Sequence, residues 1–167
     1  MLTIQRINPG EPPVWHPDLL QVLEAADVRT DGYESPAEVA DDLVLLAVDE
    51  GRVLGVAVGH PTTTPFDDSF GRFGRFASLP VPQAWLDVIA VLPTARRRGA
   101  GRLLVRVFAD IMSSRGCTHV VLKVDQATSW EARVAFFESC GFSLLEGGDD
   151  DLRGAEITTL LEACRRP

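Results

Sequence analysis

The sequence has few of the residues that mark several protein classes. Its 167 residues include three cysteines, three histidines and one tyrosine. An odd number of cysteines gives no disulfide framework and suits a reducing compartment. Scattered histidines without a C-x-x-C pattern argue against a structural metal. No apolar run approaches the roughly 18 residues of a membrane span, and the first residues lack the order of a signal peptide. We therefore expect a cytoplasmic protein that has no metal site and does not enter a membrane.

The charge balance excludes a further class. Acidic residues number 24 and basic residues 16, so the formal net charge is −8. Such a chain is a poor partner for nucleic acid, whereas an acidic surface favours cationic molecules. With 46% apolar residues, the chain has the composition of an ordinary globular protein. Its length predicts a single domain over residues 1–167.

An arginine- and glycine-rich turn lies between a predicted strand, 85–91, and a predicted helix, about 99–115. The N–H groups of a helix's first turn have no partner within the helix, and the helix dipole adds positive charge there. Glycines let the backbone approach a phosphate closely. Because arginines at a helix start are unfavourable unless an anion is present, this turn predicts a phosphorylated cofactor. The residues of the turn are Arg96, Arg97, Arg98, Gly99, Ala100, Gly101 and Arg102.

Two common phosphate-binding motifs are absent, namely G-x-x-x-x-G-K-[ST] and G-x-G-x-x-G. What is present is R-x-x-G-x-G after a strand, which resembles the acetyl-coenzyme A signature of the GNAT N-acetyltransferases. A second segment, 136–142 (Phe-Phe-Glu-Ser-Cys-Gly-Phe), is similar to that family's later motif, aromatic-Tyr-x-x-x-Gly-Phe. A predicted strand, 120–124, lies between the two motifs, and the resemblance covers roughly residues 41–163.

The resemblance implies an α/β fold: a mixed, twisted and partly splayed sheet of six to seven strands, with helices on both faces. It also implies acetyl transfer from acetyl-CoA to a primary amine by direct attack in a ternary complex. The rival interpretation is a CoA-binding regulatory or interaction module without turnover. Another acyl-CoA, such as succinyl-CoA, is a third alternative.

The resemblance also assigns residues to the cofactor. Main-chain atoms of strand 85–91 would hydrogen-bond the pantetheine arm, and a backbone N–H near Val91 would stabilise the oxyanion. Phe137 stands where the family usually has a tyrosine that protonates the leaving thiolate. Trp130 stands near a family asparagine, and either covers the cofactor or is an ordinary aromatic residue. The cofactor residues outside the turn are thus Ile89, Ala90, Val91, Trp130 and Phe137.

Asp87 is the predicted catalytic residue. It is the one acid in an apolar strand, and burying a carboxylate without a partner is unfavourable. Three roles fit it: a general base, acting directly or through a water relay; an anchor for the substrate's ammonium group; or a carboxylate hydrogen-bonded at a sheet edge. Its ordinary pKa of about 3.9 is low for a base, and desolvation would raise that pKa.

Fewer sequence features identify the residues that would bind the acceptor amine. Trp85 shares one face of its strand with Asp87, and Tyr33 follows a helix predicted at 18–29 from its apolar spacing. Segment 61–83 contains four phenylalanines, and a connection of this length is uncommon in a compact domain. It would line an acceptor pocket, form a homodimer contact or cover one sheet face. The candidate substrate-binding residues are Tyr33, Asp67, Phe70 and Trp85, with Asp68 beside Asp67.

Secondary-structure patterns place these residues. Two apolar runs, 43–48 and 53–59, are joined by Asp-Glu-Gly-Arg and predict a β-hairpin. Strand 85–91, the helix after it and a strand at 119–124 predict a βαβ unit with parallel strands. Segments 142–146 and 157–162 are predicted as the final strands.

Overall fold

The computed structural model describes residues 1–63, 79–125, 129–145 and 151–165. These residues contain seven strands in one mixed sheet, in the order β1-β2-β3-β4-β5-β7-β6, and four α-helices. The strands are β1 (Thr3–Ile7), β2 (Leu43–Asp49), β3 (Arg52–Thr62), β4 (Gln83–Val91), β5 (His119–Lys123), β6 (Ser143–Leu144) and β7 (Leu152–Glu156). The helices are α1 (His16–Ala25), α2 (Ala100–Ser114), α3 (Trp130–Ser139) and α4 (Ile157–Ala163). The predicted α/β fold with a mixed sheet is confirmed. None of the described helices has the length and apolar character of a membrane span.

The predicted hairpin is formed by β2 and β3. Its two turn residues, Glu50 and Gly51, have φ angles of 51° and 77°, as a type I′ turn requires. The register pairs Val48 with Val53 but Ala47 with Gly55, so β3 carries one extra residue and the ladder has a bulge there. This bulge sets which residues lie opposite each other at the far end of the hairpin.

The predicted βαβ unit is also present. Strands β4 and β5 are parallel, and α2 connects them in sequence. Their register comprises two pairs, Ala84 with Val120 and Trp85 with Val121, whereas β4 continues to Val91.

One predicted strand was wrong. Residues 157–162 lie in α4, and the strand that precedes them is β7. Threonines 158 and 159 favour a strand by propensity, but Ile157, Leu160 and Cys164 are buried at the spacing of one helix face. Packing of that face outweighs the local preference for a strand.

The chain divides into two compact units. The first unit comprises Met1–His60 and Asp87–Phe108, and the second comprises Pro61–Leu86 and Ala109–Pro167. The core of the first unit contains buried side chains from α1, β2, β3 and the end of β4, including Leu23, Leu46, Val56 and Val88. In the second unit, Val121 and Leu152 form a smaller cluster against which Trp85 packs.

Within the first unit, Gly55 brings β3 close to β4. A Cβ atom added at Gly55 would lie 2.9 Å from the carbonyl oxygen of Ala90 and 3.2 Å from a Val91 methyl carbon. The Leu92 N–H also donates to the Leu54 carbonyl at 2.8 Å. Numbers rise along one strand as they fall along the other, so the two strands run antiparallel. This arrangement brings His60 of β3 beside Asp87 of β4.

Candidate active site

The half-buried face of β4 carries the predicted catalytic residue. Burial alternates along the strand, with Leu86, Val88 and Ala90 buried and the residues between them half-buried. Successive side chains of a strand point to opposite faces. The face that carries Asp87 is therefore the one predicted from the sequence, and it is formed by Trp85, Asp87, Ile89 and Val91.

Asp87 belongs to a cluster of three charged side chains in the first unit. The Nδ1 atom of His60 lies 3.0 Å from Oδ2 of Asp87 and 3.4 Å from Oδ1 of Asp42. Asp42 directly precedes β2, and Leu43 pairs with Gly59, so one step further along the ladder places Asp42 beside His60. The three residues thus form a row across the ends of β2 and β3 and the middle of β4. Their side chains are 23% exposed for Asp42, 39% for His60 and 24% for Asp87.

The two carboxylates determine the charge of His60. The carboxylates of Asp42 and Asp87 raise the pKa of His60 to about 10, although partial burial opposes the change. The imidazole is therefore protonated at neutral pH. An imidazolium between two ionised carboxylates leaves the cluster with a net charge of about −1, which favours a cationic ligand.

Tyr33, a predicted substrate-binding residue, is close enough to this cluster to interact electrostatically with its carboxylates. Burial raises the pKa of the Tyr33 phenol, and the charges of Asp87 and Asp42 raise that pKa further. The hydroxyl therefore stays protonated and can donate a hydrogen bond. The backbone of Tyr33 is fixed from α1, because its carbonyl oxygen lies 2.7 Å from Nε2 of buried His16. A carbonyl only accepts, so the His16 ring donates through Nε2–H.

The same cluster meets the distance requirement of a metal site. Among the described residues, Asp42, His60 and Asp87 are a group whose potential ligand atoms all lie within 4.8 Å of one another. A metal would have to displace the proton on Nδ1 of His60, because metal ligands must be deprotonated. The high pKa of His60 makes this displacement unfavourable near neutral pH. That the protein works without a metal stays a prediction.

The arginine- and glycine-rich turn has the geometry of an anion site. Arg97 and Gly99 have φ angles of 63° and 83°, and α2 begins directly afterwards at Ala100. The Leu103 N–H donates to the Gly99 carbonyl at 3.0 Å, which is the first hydrogen bond of the helix. A Cβ added at Gly99 would meet nothing within 4 Å, so the backbone is open on that side. The first turn of α2 carries no acidic residue that would repel an anion.

The arginines of this turn differ in their surroundings. Arg96 and Arg97 are exposed. Arg98 is exposed too, but it donates to the Asp49 carboxylate at 2.6 Å, and the N-terminal amine lies 2.7 Å from the same residue. A phosphate would therefore compete with Asp49 for the Arg98 guanidinium. Arg96, Arg97 and the backbone N–H groups of the helix start can together bind an anionic group such as a phosphate.

Comparison with known proteins settles the family. The sequence model of the acetyltransferase (GNAT) family matches residues 4–142, which is most of the chain. The chain belongs to the GNAT acetyltransferase family. It is accordingly an acetyltransferase, and the family's acetyl donor is acetyl-CoA. No curated protein matches the chain.

Solved structures share the GNAT fold with this chain. The PaiA N-acetyltransferase of Thermoplasma acidophilum, solved with coenzyme A, has a TM-score of 0.68 and 13% identity, covering 93% of this chain and 99% of that one. The aminoglycoside 6′-N-acetyltransferase AAC(6′)-Ig of Acinetobacter haemolyticus has a TM-score of 0.66 and 19% identity, covering 88% and 94%. The ribosomal-protein-S18-alanine N-acetyltransferase of Escherichia coli has a TM-score of 0.65 and 19% identity, covering 94% of both chains.

The other predicted residues lie in the second unit or outside the described residues. Phe137 of α3 is only 8% exposed, and its ring packs edge-on against Phe136 and Phe142, with centroids 5.2 and 5.6 Å away. Trp130 is the half-buried first residue of α3. Trp85 packs against the Val121 and Leu152 cluster. Asp67, Asp68 and Phe70 lie outside the described residues.

Sequence reasoning missed Asp42 and His60. Each is a polar residue at the end of an apolar run, which is a weak signal by itself. A regular ladder counted back from Asp49 and Arg52 would place Asp42 opposite Gly59. The bulge near Ala47 shifts this register by one residue, and only then does Asp42 reach His60.

Proposed function

We propose that this GNAT protein is an N-acetyltransferase, which moves an acetyl group from acetyl-CoA to a primary amine of a small molecule or peptide. The amine would attack directly within a ternary complex. The observation that carries the proposal is the position of Asp87. It lies on the half-buried face of β4, where it accepts a hydrogen bond from His60, and it belongs to the same unit as the arginine- and glycine-rich turn.

The cofactor end of this site is supported by the turn and by β4. Arg96, Arg97 and Arg102 would hold the pyrophosphate together with the backbone of Gly99, Ala100 and Gly101, and Arg98 would join them only on leaving Asp49. Main-chain atoms of Ile89, Ala90 and Val91 would bind the pantetheine arm, as a peptide binds along a strand. When bound, acetyl-CoA supplies an acetyl group activated as a thioester. Trp130 and Phe137 are proposed cofactor contacts by resemblance to the family.

The acceptor end is supported by charge. An aliphatic amine is protonated at neutral pH, and a nucleophilic nitrogen needs a free lone pair. The carboxylates of Asp42 and Asp87 would attract the ammonium form. Asp87 would then accept its proton, directly or through a water molecule, and the Tyr33 hydroxyl would help to orient the acceptor. Asp67, Phe70 and Trp85 remain proposed acceptor contacts by sequence.

The leaving group requires no protein donor in this proposal. Phe137 has no acidic hydrogen, so solvent would protonate the thiolate. A thiol pKa of about 8.5 makes the thiolate a tolerable leaving group. Holding amine and thioester together would supply most of the acceleration.

The class of acceptor is supported by similarity as well as by charge. Two of the similar structures are named for an aminoglycoside and for the alanine of a ribosomal protein, respectively. Both names describe N-acetylation, on a small molecule in one case and on a protein in the other. At 19% identity this likeness concerns the fold, so the proposal extends to primary amines as a class.

One alternative is a CoA-binding module without turnover. It is favoured by Phe137, which cannot donate a proton to the leaving thiolate. An amine panel decides between the two functions. The protein is incubated with acetyl-CoA and polyamines, aminoglycosides and short peptides, thiol release is measured, and products are identified by mass spectrometry. The proposal expects amine-dependent thiol release and a product 42 Da heavier, which is the mass that replacing hydrogen by acetyl adds. Tight acetyl-CoA binding without release for any amine would support the binding module instead.

A further inference from the structure

His60 lies between two carboxylates from neighbouring strands, and this position suggests a role that the sequence did not reveal. We propose that His60 is a positioning residue, whose Nδ1–H holds the carboxylate of Asp87 in place and keeps it ionised beside Asp42. The inference rests on the proposed function, in which Asp87 accepts the proton of the amine. His60 would act through Asp87 and would not contact the reacting atoms.

The hydrogen-bond chemistry fixes the direction of the contact. An ionised carboxylate can only accept hydrogen bonds, so Nδ1 of His60 must carry the hydrogen. Its 3.0 Å distance to Asp87 is normal for an N–H···O bond, whereas the 3.4 Å distance to Asp42 is longer. Asp87 is therefore the principal acceptor. A charged donor strengthens such a bond and restricts the rotation of the carboxylate.

The electrostatics explain why a cation is needed at this position. Oxygens of Asp42 and Asp87 lie within 4.8 Å of each other. Two carboxylates this close repel each other when both are charged, and a cation between them offsets that repulsion. Among the described residues, the charged groups that act on His60 are these two carboxylates. The phenol of Tyr33 also interacts with both carboxylates, but it stays neutral and adds no charge.

The same arrangement argues against His60 as the base itself. With its pKa raised to about 10, the ring carries hydrogen on both nitrogens at neutral pH. It then has no lone pair for a proton from the amine. Asp87 keeps its carboxylate, so the proton acceptor and the residue that positions it are different side chains.

His60→Asn is the variant that isolates the charge. The Asn amide places an uncharged N–H donor near the position of Nδ1, so hydrogen bonding is kept and the cation is lost. We expect the acid limb of the kcat profile to move up by about one pH unit or more, because Asp87 now titrates beside an ionised Asp42. The kcat of the high-pH plateau should stay within a few-fold of wild type.

Adding Asp42→Asn to His60→Asn removes the neighbouring charge. The acid limb should then move back toward its wild-type position, which a merely structural role of His60 would not produce. A carbon-13 NMR titration of the Asp87 carboxyl should give midpoints in the same order as the acid limbs of the three proteins, namely wild type, His60→Asn and the double variant. This measurement does not depend on activity. His119→Asn is the matched control, since His119 is a half-buried histidine on β5 that contacts Thr118. Its acid limb should coincide with wild type.

The outcomes separate the two proposals. An acid limb that does not move in folded His60→Asn overturns the role of His60. A limb that moves but is not reversed by Asp42→Asn also overturns it. If Asp87→Asn retains full kcat, the proposed base is wrong and the inference fails with it. If Asp87→Asn is inactive while the His60→Asn limb is unchanged, only the inference fails.

A second variant covers the case in which His60→Asn does not fold. Asp42→Asn alone leaves the imidazolium to Asp87, so the acid limb should move to lower pH. Circular dichroism checks that the variant is folded. An acid limb that moves to higher pH in folded Asp42→Asn would overturn the inference.

Discussion

The carboxylate of Asp87 accepts a hydrogen bond from His60 over 3.0 Å, although the two residues are 27 positions apart in the chain. Adjacent strands of the first unit bring them together. The contact gives the lone acid of an apolar strand a charged partner, and it explains how Asp87 is tolerated there. It also links the catalytic proposal to the pH dependence of the enzyme.

Replacing Asp87 with Asn should remove the general base while keeping the shape of the side chain. We expect kcat to fall by about 10² or more with little change in acetyl-CoA affinity. The acid limb of the wild-type profile should be absent in the variant. Steady-state kinetics across pH, with calorimetry for the cofactor, measure these quantities.

Asp110→Asn is the control for that experiment, since Asp110 is exposed on α2. A raised KM for the amine alone would make Asp87 an ammonium anchor. No effect on either parameter in a folded variant would refute both roles.

Replacing Gly101 with Glu should abolish acetyl-CoA binding. The new carboxylate lies in the first turn of α2, where it would repel and crowd the pyrophosphate. Isothermal titration calorimetry measures the affinity, and Ser113→Glu, at the exposed far end of the same helix, adds the same charge as a control. Unchanged affinity in folded Gly101→Glu would refute the phosphate site.

Replacing Phe137 with Tyr should leave turnover equal or higher. The variant restores the hydroxyl that the family usually has, and thiolate departure then has a donor. The measurement is kcat at saturating substrates, with Phe136→Tyr, at the neighbouring half-buried ring, as the control. A fall of more than tenfold with folding intact would mean that this position packs against the ligand instead.

Replacing Gly55 with Ala should destabilise the protein by about 1–3 kcal/mol. The added Cβ would lie 2.9 Å from the carbonyl oxygen of Ala90, which is backbone and cannot rotate away. Urea unfolding measures the change, and exposed Arg52→Ala on the same strand should stay within about 0.5 kcal/mol of wild type. An unchanged midpoint at constant m-value would contradict the close approach of β3 and β4.

Alkaline pH should destabilise the wild type more than the His60→Asn variant. The pKa of His60 is raised from 6.5 to about 10 in the folded protein, so the folded state holds this proton more tightly. The stabilisation of the folded state by protonated His60 is fully present below pH 6.5. It declines above that value and is lost as pH rises through 10. Thermal unfolding between pH 6 and 10.5 measures the difference between the two proteins. Parallel curves would mean that the two carboxylates do not raise the pKa of His60 in the folded protein.

The sequence by itself determined the local structures, namely the hairpin, helix α2 and the turn before that helix. Asp49 to Arg52 specify a hairpin because Gly51 tolerates the positive φ of a type I′ turn. Apolar spacing specifies α2, whose buried face includes Leu104, Phe108 and Met112. The arginine- and glycine-rich turn predicted a phosphorylated cofactor, since anion binding at a helix start depends on neighbouring residues alone, and the resemblance of this turn to the GNAT signature implied acetyl-CoA.

The site and the C-terminal helix were decided by tertiary structure. Residues 157–162 carry strand-favouring threonines, yet burial of Ile157 and Leu160 on one face makes them helical. Asp42 precedes β2, whereas His60 lies in β3 and Asp87 in β4, so no local pattern joins the three residues. A single bulge in β3 moves Asp42 from beside Gly59 to beside His60. Because a charged cluster depends on distances of a few ångströms between strands, only the register of the folded sheet determines which carboxylates share the imidazole proton.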